Sequence, residues 1–222
     1  MESTAEGMEV TRRKLEGLYL VVSPVMPFDE LLVAVKKALE GGVDLLQLIP
    51  GEESSETLRL AENLSNLTEQ YDLPFLVNGR LQLAKKVGAD GLHLDSYDIT
   101  PSDVKQVLGE SCIVGYTLGC QLEKLRWADT VGADYVSFCS VFPTSSAAQC
   151  EIVPLETIKA AKRQTNLPIF AAGGINLNNA ERVLKAGVNG IAVTSALIEA
   201  EDTKQTALKF KEIIRKARKA KQ

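Results

Sequence analysis

A short pattern recurs four times along this chain and constrains the fold more than any composition value. Glu40-Gly41-Gly42-Val43-Asp44-Leu45-Leu46 is followed by Lys86-Val87-Gly88-Ala89-Asp90-Gly91-Leu92, by Thr130-Val131-Gly132-Ala133-Asp134-Tyr135-Val136, and by Lys185-Ala186-Gly187-Val188-Asn189-Gly190-Ile191. Each copy reads as a helix end, a glycine stop, a small residue, an Asp or Asn, and a buried strand. Glycine takes the left-handed conformation that ends a helix, and the Asp or Asn is expected to cap the short turn into the strand. Copies spaced about 45 to 55 residues apart leave room for two strand–helix units each.

The remaining units complete the count. Strands are expected at residues 17–22, 45–49, 73–77, 91–94, 112–116, 135–140, 167–171 and 190–193, with helices between them. Ser54 reads as the N-cap of the second helix, and Thr100 followed by Pro101 as the start of the fourth. The last helix is a basic amphipathic tail from about Thr203 to Ala217, best read as a solvated face. The strands are continuous apolar runs, as parallel strands covered on both faces require. Eight such strands alternating with helices predict an α/β fold, a single (β/α)8 TIM barrel over residues 17–222, preceded by an N-terminal extension, residues 1–16. An open doubly wound sheet is the alternative, but no G-x-G-x-x-G follows the first strand.

Charge narrows the class of partner. The net charge of −4 argues against nucleic acid and against an anionic membrane surface. No apolar run is long enough to span a bilayer, and the charged N-terminus is unlike a signal peptide, so the expected compartment is the cytoplasm. Of the four cysteines, Cys112 and Cys139 fall in strand patterns and read as buried small hydrophobes. Cys120 and Cys150 fall in loops on one face, where a reactive thiol or a pair is the other reading.

In a (β/α)8 barrel the strand C-terminal ends carry function. Here they supply Gln47, Asn78, His93, Asp95, Ser96, Asp98, Thr117, Thr144, Ser145, Ser146, Gly173, Gly174, Thr194 and Ser195. These are chiefly hydroxyls, amides and glycines, which suit a phosphate and a heterocycle and make poor acids or bases. Gly173-Gly174 and Thr194-Ser195 end neighbouring strands, where bare backbone N–H groups can receive an oxyanion. His93, the single histidine, is open to two readings, a general base or a structural group. Asp95 and Asp98 are candidate Mg2+ carboxylates, although Asp98 is equally explained by its place before a helix.

In order and spacing these landmarks resemble the family of thiamin phosphate synthase and its relative, the TenI-type thiazole tautomerase. The resemblance runs from about Gly17 to Ala217 and rests on Gln47, Val77-Asn78, the run from Gly88 to Leu94, Gly132 to Val136, Val141 to Thr144, Ala172 to Ile175 and Val193 to Ala196. It implies joining of a pyrimidine pyrophosphate to a thiazole phosphate, with release of pyrophosphate. It places the thiazole phosphate on Gly174, Thr194 and Ser195 with Thr144 and Ser146. It makes Gln47, Asn78 and Thr117 candidate catalytic residues and Asp98 a ligand of Mg2+. The pyrophosphate half departs from the family pattern. Gln-x-Arg-x-Lys stands here as Gln47-Leu48-Ile49-Pro50-Gly51, Asn-Asp as Asn78-Gly79, and a loop lysine as Ala147, while Arg80 adds a cation nearby. The tautomerase's catalytic histidine falls on Gly119. Two functions therefore stand as expectations: a synthase with a degenerate pyrophosphate subsite, and a non-catalytic or TenI-like binder of a thiazole phosphate or similar phosphorylated small molecule. The sequence leaves the assembly state open, a homo-oligomer included.

Overall fold

The computed structural model describes residues 14–144 and 151–220. Eight parallel strands close into one barrel in chain order: β1 (Gly17–Val22), β2 (Leu45–Leu48), β3 (Phe75–Asn78), β4 (Gly91–Leu94), β5 (Ile113–Leu118), β6 (Tyr135–Cys139), β7 (Ile169–Ala172) and β8 (Gly190–Val193). The helices that cover it are α1 (Phe28–Glu40), α2 (Ser55–Gln70), α3 (Leu81–Val87), α4 (Pro101–Leu108), α5 (Leu122–Thr130), α6 (Leu155–Lys162), α7 (Ala180–Lys185), the short α8 (Ser195–Ile198) and α9 (Thr203–Lys219). The expected (β/α)8 barrel is therefore the fold. None of the described helices is long and apolar enough to cross a membrane.

Helix spacing explains the outer layer. Leu31, Ala34, Val35, Ala38 and Leu39 fall on one stripe of α1, and Ala207, Phe210 and Ile214 on one stripe of α9. Both stripes pack onto the outward side chains of the strands. Ser54 caps α2 by accepting the Thr57 N–H at 3.1 Å. Thr100 and Asp103 form a reciprocal capping box at the start of α4.

The barrel interior is a second, smaller core of Tyr19, Leu45, Leu76, Tyr135, Phe170 and Ala192. Glycines on the strands make room for its rings. A Cβ on Gly115 would overlap the Tyr135 ring, and one on Gly190 would overlap Phe170 and the Gly17 backbone. Leu15 also packs against this interior, and Glu16 pairs with Arg218 at 3.1 Å.

The repeated Asp or Asn does something other than cap its own turn. Asp44 accepts the Leu18 N–H at 2.7 Å, Asp90 that of Phe75 at 2.8 Å, Asp134 that of Val114 at 2.9 Å, and Asn189 that of Ile169 at 3.0 Å. Each even-numbered strand thus grips the start of the odd-numbered strand before it. The expectation of a local cap is corrected: the side chain reaches across the sheet because the odd-numbered strand starts with an N–H left unmatched at the N-terminal end of the barrel. Lys211 of α9 then holds Asp44 at 2.6 Å, and Arg218 reaches the Asn189 carbonyl at 3.3 Å, which locks the last helix to the N-terminal end of the barrel.

Several strand bounds shift from expectation. β3 and β7 start after Pro74 and Pro168, whose carbonyls still accept from Leu46 and Val136. β5 starts at Ile113, after Cys112, and runs on to Leu118, so Thr117 is a strand residue whose side chain faces the interior network. Cys112 is buried, whereas Cys139 is only half-buried.

Candidate active site

Inward-facing residues of β1 to β6 carry a continuous run of polar groups that reaches the C-terminal ends of β3 and β4. Asn78 at the end of β3 donates from Nδ2 to Asp95 Oδ2 at 2.8 Å. Gln47 on β2 donates from Nε2 to Asn78 Oδ1 at 2.7 Å, and the Tyr19 hydroxyl on β1 donates to Gln47 Oε1. Tyr19 and Tyr135 share a hydroxyl–hydroxyl bond of 2.9 Å. His93 on β4 meets the Tyr135 oxygen through Nδ1 at 2.6 Å and Thr117 Oγ1 through Nε2 at 2.8 Å. Seven residues from six strands and one loop thus share six hydrogen bonds. Among the described residues no buried side-chain polar atom lacks a partner, as a dry interior demands.

Burial sets the protonation states. It pushes the His93 ring down to about 4, against the opposing pull of the Asp95 carboxylate, so the imidazole is neutral at pH 7. The Tyr19 and Tyr135 hydroxyls are driven upward, chiefly by burial, and stay protonated. A neutral histidine with both ring nitrogens engaged orients its neighbours and is a poor proton carrier. The structure thus supports the structural reading of His93.

Of the expected catalytic candidates, Gln47, Asn78 and Thr117 belong to this one network, joined by residues of β1, β4 and β6. Tyr19 and Tyr135 were not among the sequence candidates. Both lie inside apolar strand runs, and only the register reveals that they face inward.

The loop after β4 carries the two carboxylates. Asp95 and Asp98 are both exposed, and Asp95 Oδ1 stands 4.0 Å from His93 Nε2. Between them Tyr97 anchors the loop: its hydroxyl donates to the Thr117 carbonyl at 2.9 Å, and its ring stacks on Tyr116 and meets Trp127 edge-on. Among the described residues no cluster of three His, Cys, Asp or Glu side chains could hold a metal. Mg2+ is commonly held by one or two carboxylates with waters and substrate phosphates. The donor set fits an ion that arrives with a phosphorylated substrate and does not fit a resident, all-protein site.

The loops after β6, β7 and β8 stand side by side. Phe142 donates to the Gly173 carbonyl at 3.1 Å and Val141 to that of Ala172 at 2.9 Å, so the β6 loop lies directly on the glycine turn. Gly173 and Gly174 have φ of 89° and 65°. A Cβ on Gly173 would overlap Ser140, and one on Gly174 would crowd Phe142 and Pro143. Chain packing alone therefore requires both glycines, a reason the sequence did not disclose. Thr144, Gly174 and Thr194 are half-buried, and Ser195 is exposed at the start of α8. Ser145, Ser146, Ala147 and Cys150 lie outside the described residues.

The described residues at which the sequence departs from the resembled pattern are at the surface. Ile49 is 42 % exposed, and Gly51 lies against Pro24. Gly79 is exposed with φ 66°, and a Cβ there would meet nothing. Arg80 is half-buried beside Asn78, to whose carbonyl it gives its N–H at 2.7 Å, and its guanidinium has no ion pair among the described residues. Cys120 is free, and burial together with the Glu151 charge raises its thiol, which opposes a reactive thiolate. A cavity of about 770 Å3 opens at the other end of the barrel, lined by Lys14, Asp90 and Asp134, well away from these groups.

A closed (β/α)8 barrel with an inward-facing polar network that reaches the C-terminal ends of its strands is the architecture in which small-molecule sites are commonly built. The family model described as thiamine monophosphate synthase matches residues 18–197. The thiamine-phosphate synthase of Ruminiclostridium cellulolyticum is 36% identical over 198 residues, covering 88% of this chain and 94% of that protein. The thiamine-phosphate synthase of Clostridium tetani is 34% identical over 190 residues, covering 85% and 90%. The solved thiamine phosphate pyrophosphorylase from Pyrococcus furiosus superposes with a TM-score of 0.79 at 32% identity, covering 90% of this chain and 96% of that one. The chain belongs to the thiamine monophosphate synthase family.

Proposed function

We propose that this protein joins a hydroxymethylpyrimidine pyrophosphate to a thiazole phosphate and releases pyrophosphate. The observation that carries this reading is the single hydrogen-bonded floor made by Gln47, Asn78, His93 and Thr117 at the barrel mouth of a chain of this family. In such a condensation the bond from the pyrimidine methylene carbon to the pyrophosphate oxygen breaks, and the thiazole nitrogen takes the carbon. The barrier lies in the charge that develops on the leaving group, so electrostatic stabilisation matters more than proton transfer.

The residues divide accordingly. Asn78 and Thr117, both half-buried members of the network, hold the heterocycle in place. Thr144, Ser146, Gly174, Thr194 and Ser195 receive the thiazole phosphate through hydroxyl and backbone N–H groups. Arg80, without an ion pair among the described residues, supplies positive charge beside Asn78. Asp98, with Asp95, would hold Mg2+ brought in with the substrate, and the chemistry that ion supplies is charge neutralisation on the departing pyrophosphate.

A second reading is favoured by Ile49, exposed where the resemblance read from the sequence implies a cation. One charge-assisted contact to a developing anion is worth about 2–4 kcal/mol, so on this reading the chain binds the thiazole phosphate alone unless Arg80 supplies the charge. The test is pyrophosphate release by purified protein given both substrates and Mg2+, beside a synthase of intact motif. Turnover within about a hundredfold of that control, roughly 2.7 kcal/mol of barrier, is expected. Absence of turnover, with the thiazole phosphate still raising the melting temperature, would establish the binder instead.

A further inference from the structure

The hydrogen bonds of the barrel floor all have to point one way. A carboxylate accepts and does not donate, so Asp95, 61% exposed, obliges Asn78 to present Nδ2. Asn78 Oδ1 then faces Gln47, which must present Nε2. Gln47 Oε1 is left for Tyr19, whose single hydroxyl hydrogen goes there. The Tyr19 oxygen can only accept from Tyr135, and Tyr135 has spent its own hydrogen on that bond. The Tyr135 oxygen must therefore accept from His93 Nδ1. A neutral imidazole has one N–H, so Nε2 is a lone pair and takes the Thr117 hydroxyl hydrogen.

We propose that Asp95 is a positioning residue that fixes His93 as its Nδ1–H tautomer and sets the donor–acceptor polarity of the pocket floor, acting through Asn78, Gln47, Tyr19 and Tyr135. The direct route gives the opposite answer. Asp95 Oδ1 lies 4.0 Å from His93 Nε2, and attraction across that gap would place the proton on Nε2. The two routes are thus separable by one measurement. With the relay oriented as argued, Asn78 retains a second N–H and Thr117 retains oxygen lone pairs. A ligand on the floor then meets a donor on β3 and an acceptor on β5. That selects a heterocycle edge with an acceptor and a donor side by side; this last step rests on the proposed condensation, and the tautomer does not.

His93 is the single histidine, so tag-free protein labelled with 15N-histidine gives one pair of ring nitrogens in a long-range 1H–15N spectrum at pH 7, without substrate. The expected result is Nδ1 protonated and Nε2 bare. In Asp95→Asn the replacement can donate or accept, so the ratio of Nδ1–H to Nε2–H should fall at least about tenfold, the scale of a lost hydrogen bond to a charged group. Tyr19→Phe cuts the relay without touching Asp95 and should have the same effect, and Asp95→Asn added to Tyr19→Phe should change the ratio no further. Nε2–H in the parent protein, an unchanged ratio in folded Asp95→Asn, or a further change in the double variant would each overturn the proposal. Because no substrate is present, failure here leaves the condensation reading untouched, and absence of turnover leaves the tautomer result untouched.

Discussion

Asp44 and Leu18 hold each other twice: the Asp44 N–H is given to the Leu18 carbonyl at 2.8 Å, and the Leu18 N–H is given to the Asp44 carboxylate at 2.7 Å. Gly17 permits this closeness, since its φ is 108° and a Cβ there would overlap the carboxylate. Leu18 is fully buried, so its N–H has no ready replacement partner. Asp44→Ala should cost about 1.5–3 kcal/mol, the range for a hydrogen bond to a charged group. Asp44→Asn keeps an acceptor, as Asn189 does in the fourth copy, and gives up only the charge facing Lys211. It should cost less than about 1 kcal/mol, because that pair is one-third exposed and screened. Urea unfolding of the two variants measures the difference; equal losses would mean that the ion pair, rather than the strand clasp, carries the energy.

Gly115 marks a tight point of the interior. Any Cβ there runs into the Tyr135 ring, which also packs edge-on against Tyr19 and Phe170. Overpacking of a filled core costs about 1–3 kcal/mol and occasionally more. Gly115→Ala should reach the upper part of that range and shift the Tyr135 hydroxyl off His93. Thermal unfolding reads the first effect and the His93 ring resonances the second.

The same histidine should dominate stability on the mild acid side. Its folded value is lowered to about 4 by burial, below the unfolded value near 6.5. Between these values the unfolded chain takes up a proton that the folded chain refuses, so stability is full above pH 6.5 and falls as the pH drops toward 4. From pH 7 to pH 5 the loss is about 2 kcal/mol. His93→Gln should flatten that part of the profile, whatever its effect on absolute stability. A slope that persists in His93→Gln would assign it to other groups.

Much of the barrel is legible before any coordinates, because glycine stops and apolar runs are local signals. The four repeats mark helix ends and the starts of β2, β4, β6 and β8, and Gly88 does take the left-handed cap conformation. What the repeats cannot disclose is their partner, since the Asp or Asn reaches a strand roughly 15 to 26 residues earlier in the chain. The site is legible by half for a related reason. Gln47, Asn78 and His93 stand out as polar residues in apolar surroundings, whereas Tyr19 and Tyr135 are hidden in largely apolar strand runs. Only barrel closure brings β1 and β6 within reach of one another.

The β2 loop offers the most direct test of the chemistry. Ile49 is exposed at the barrel mouth, and the resemblance read from the sequence implies an arginine at that position. The surrounding chain can accept a longer side chain there, because the residue is not part of either core. Gly51 is a poorer place for an added lysine, since a Cβ would press on the Pro24 ring at 3.1 Å. If the charge on departing pyrophosphate limits the rate, Ile49→Arg should raise pyrophosphate release at least about tenfold, a modest part of what one preorganised donor contributes. Ile49→Gln, of similar length and no charge, should give little. The gain should weaken as ionic strength rises, because an exposed guanidinium is screened. Equal effects of the two substitutions would show that polarity or loop shape, rather than positive charge, is what this half of the site lacks.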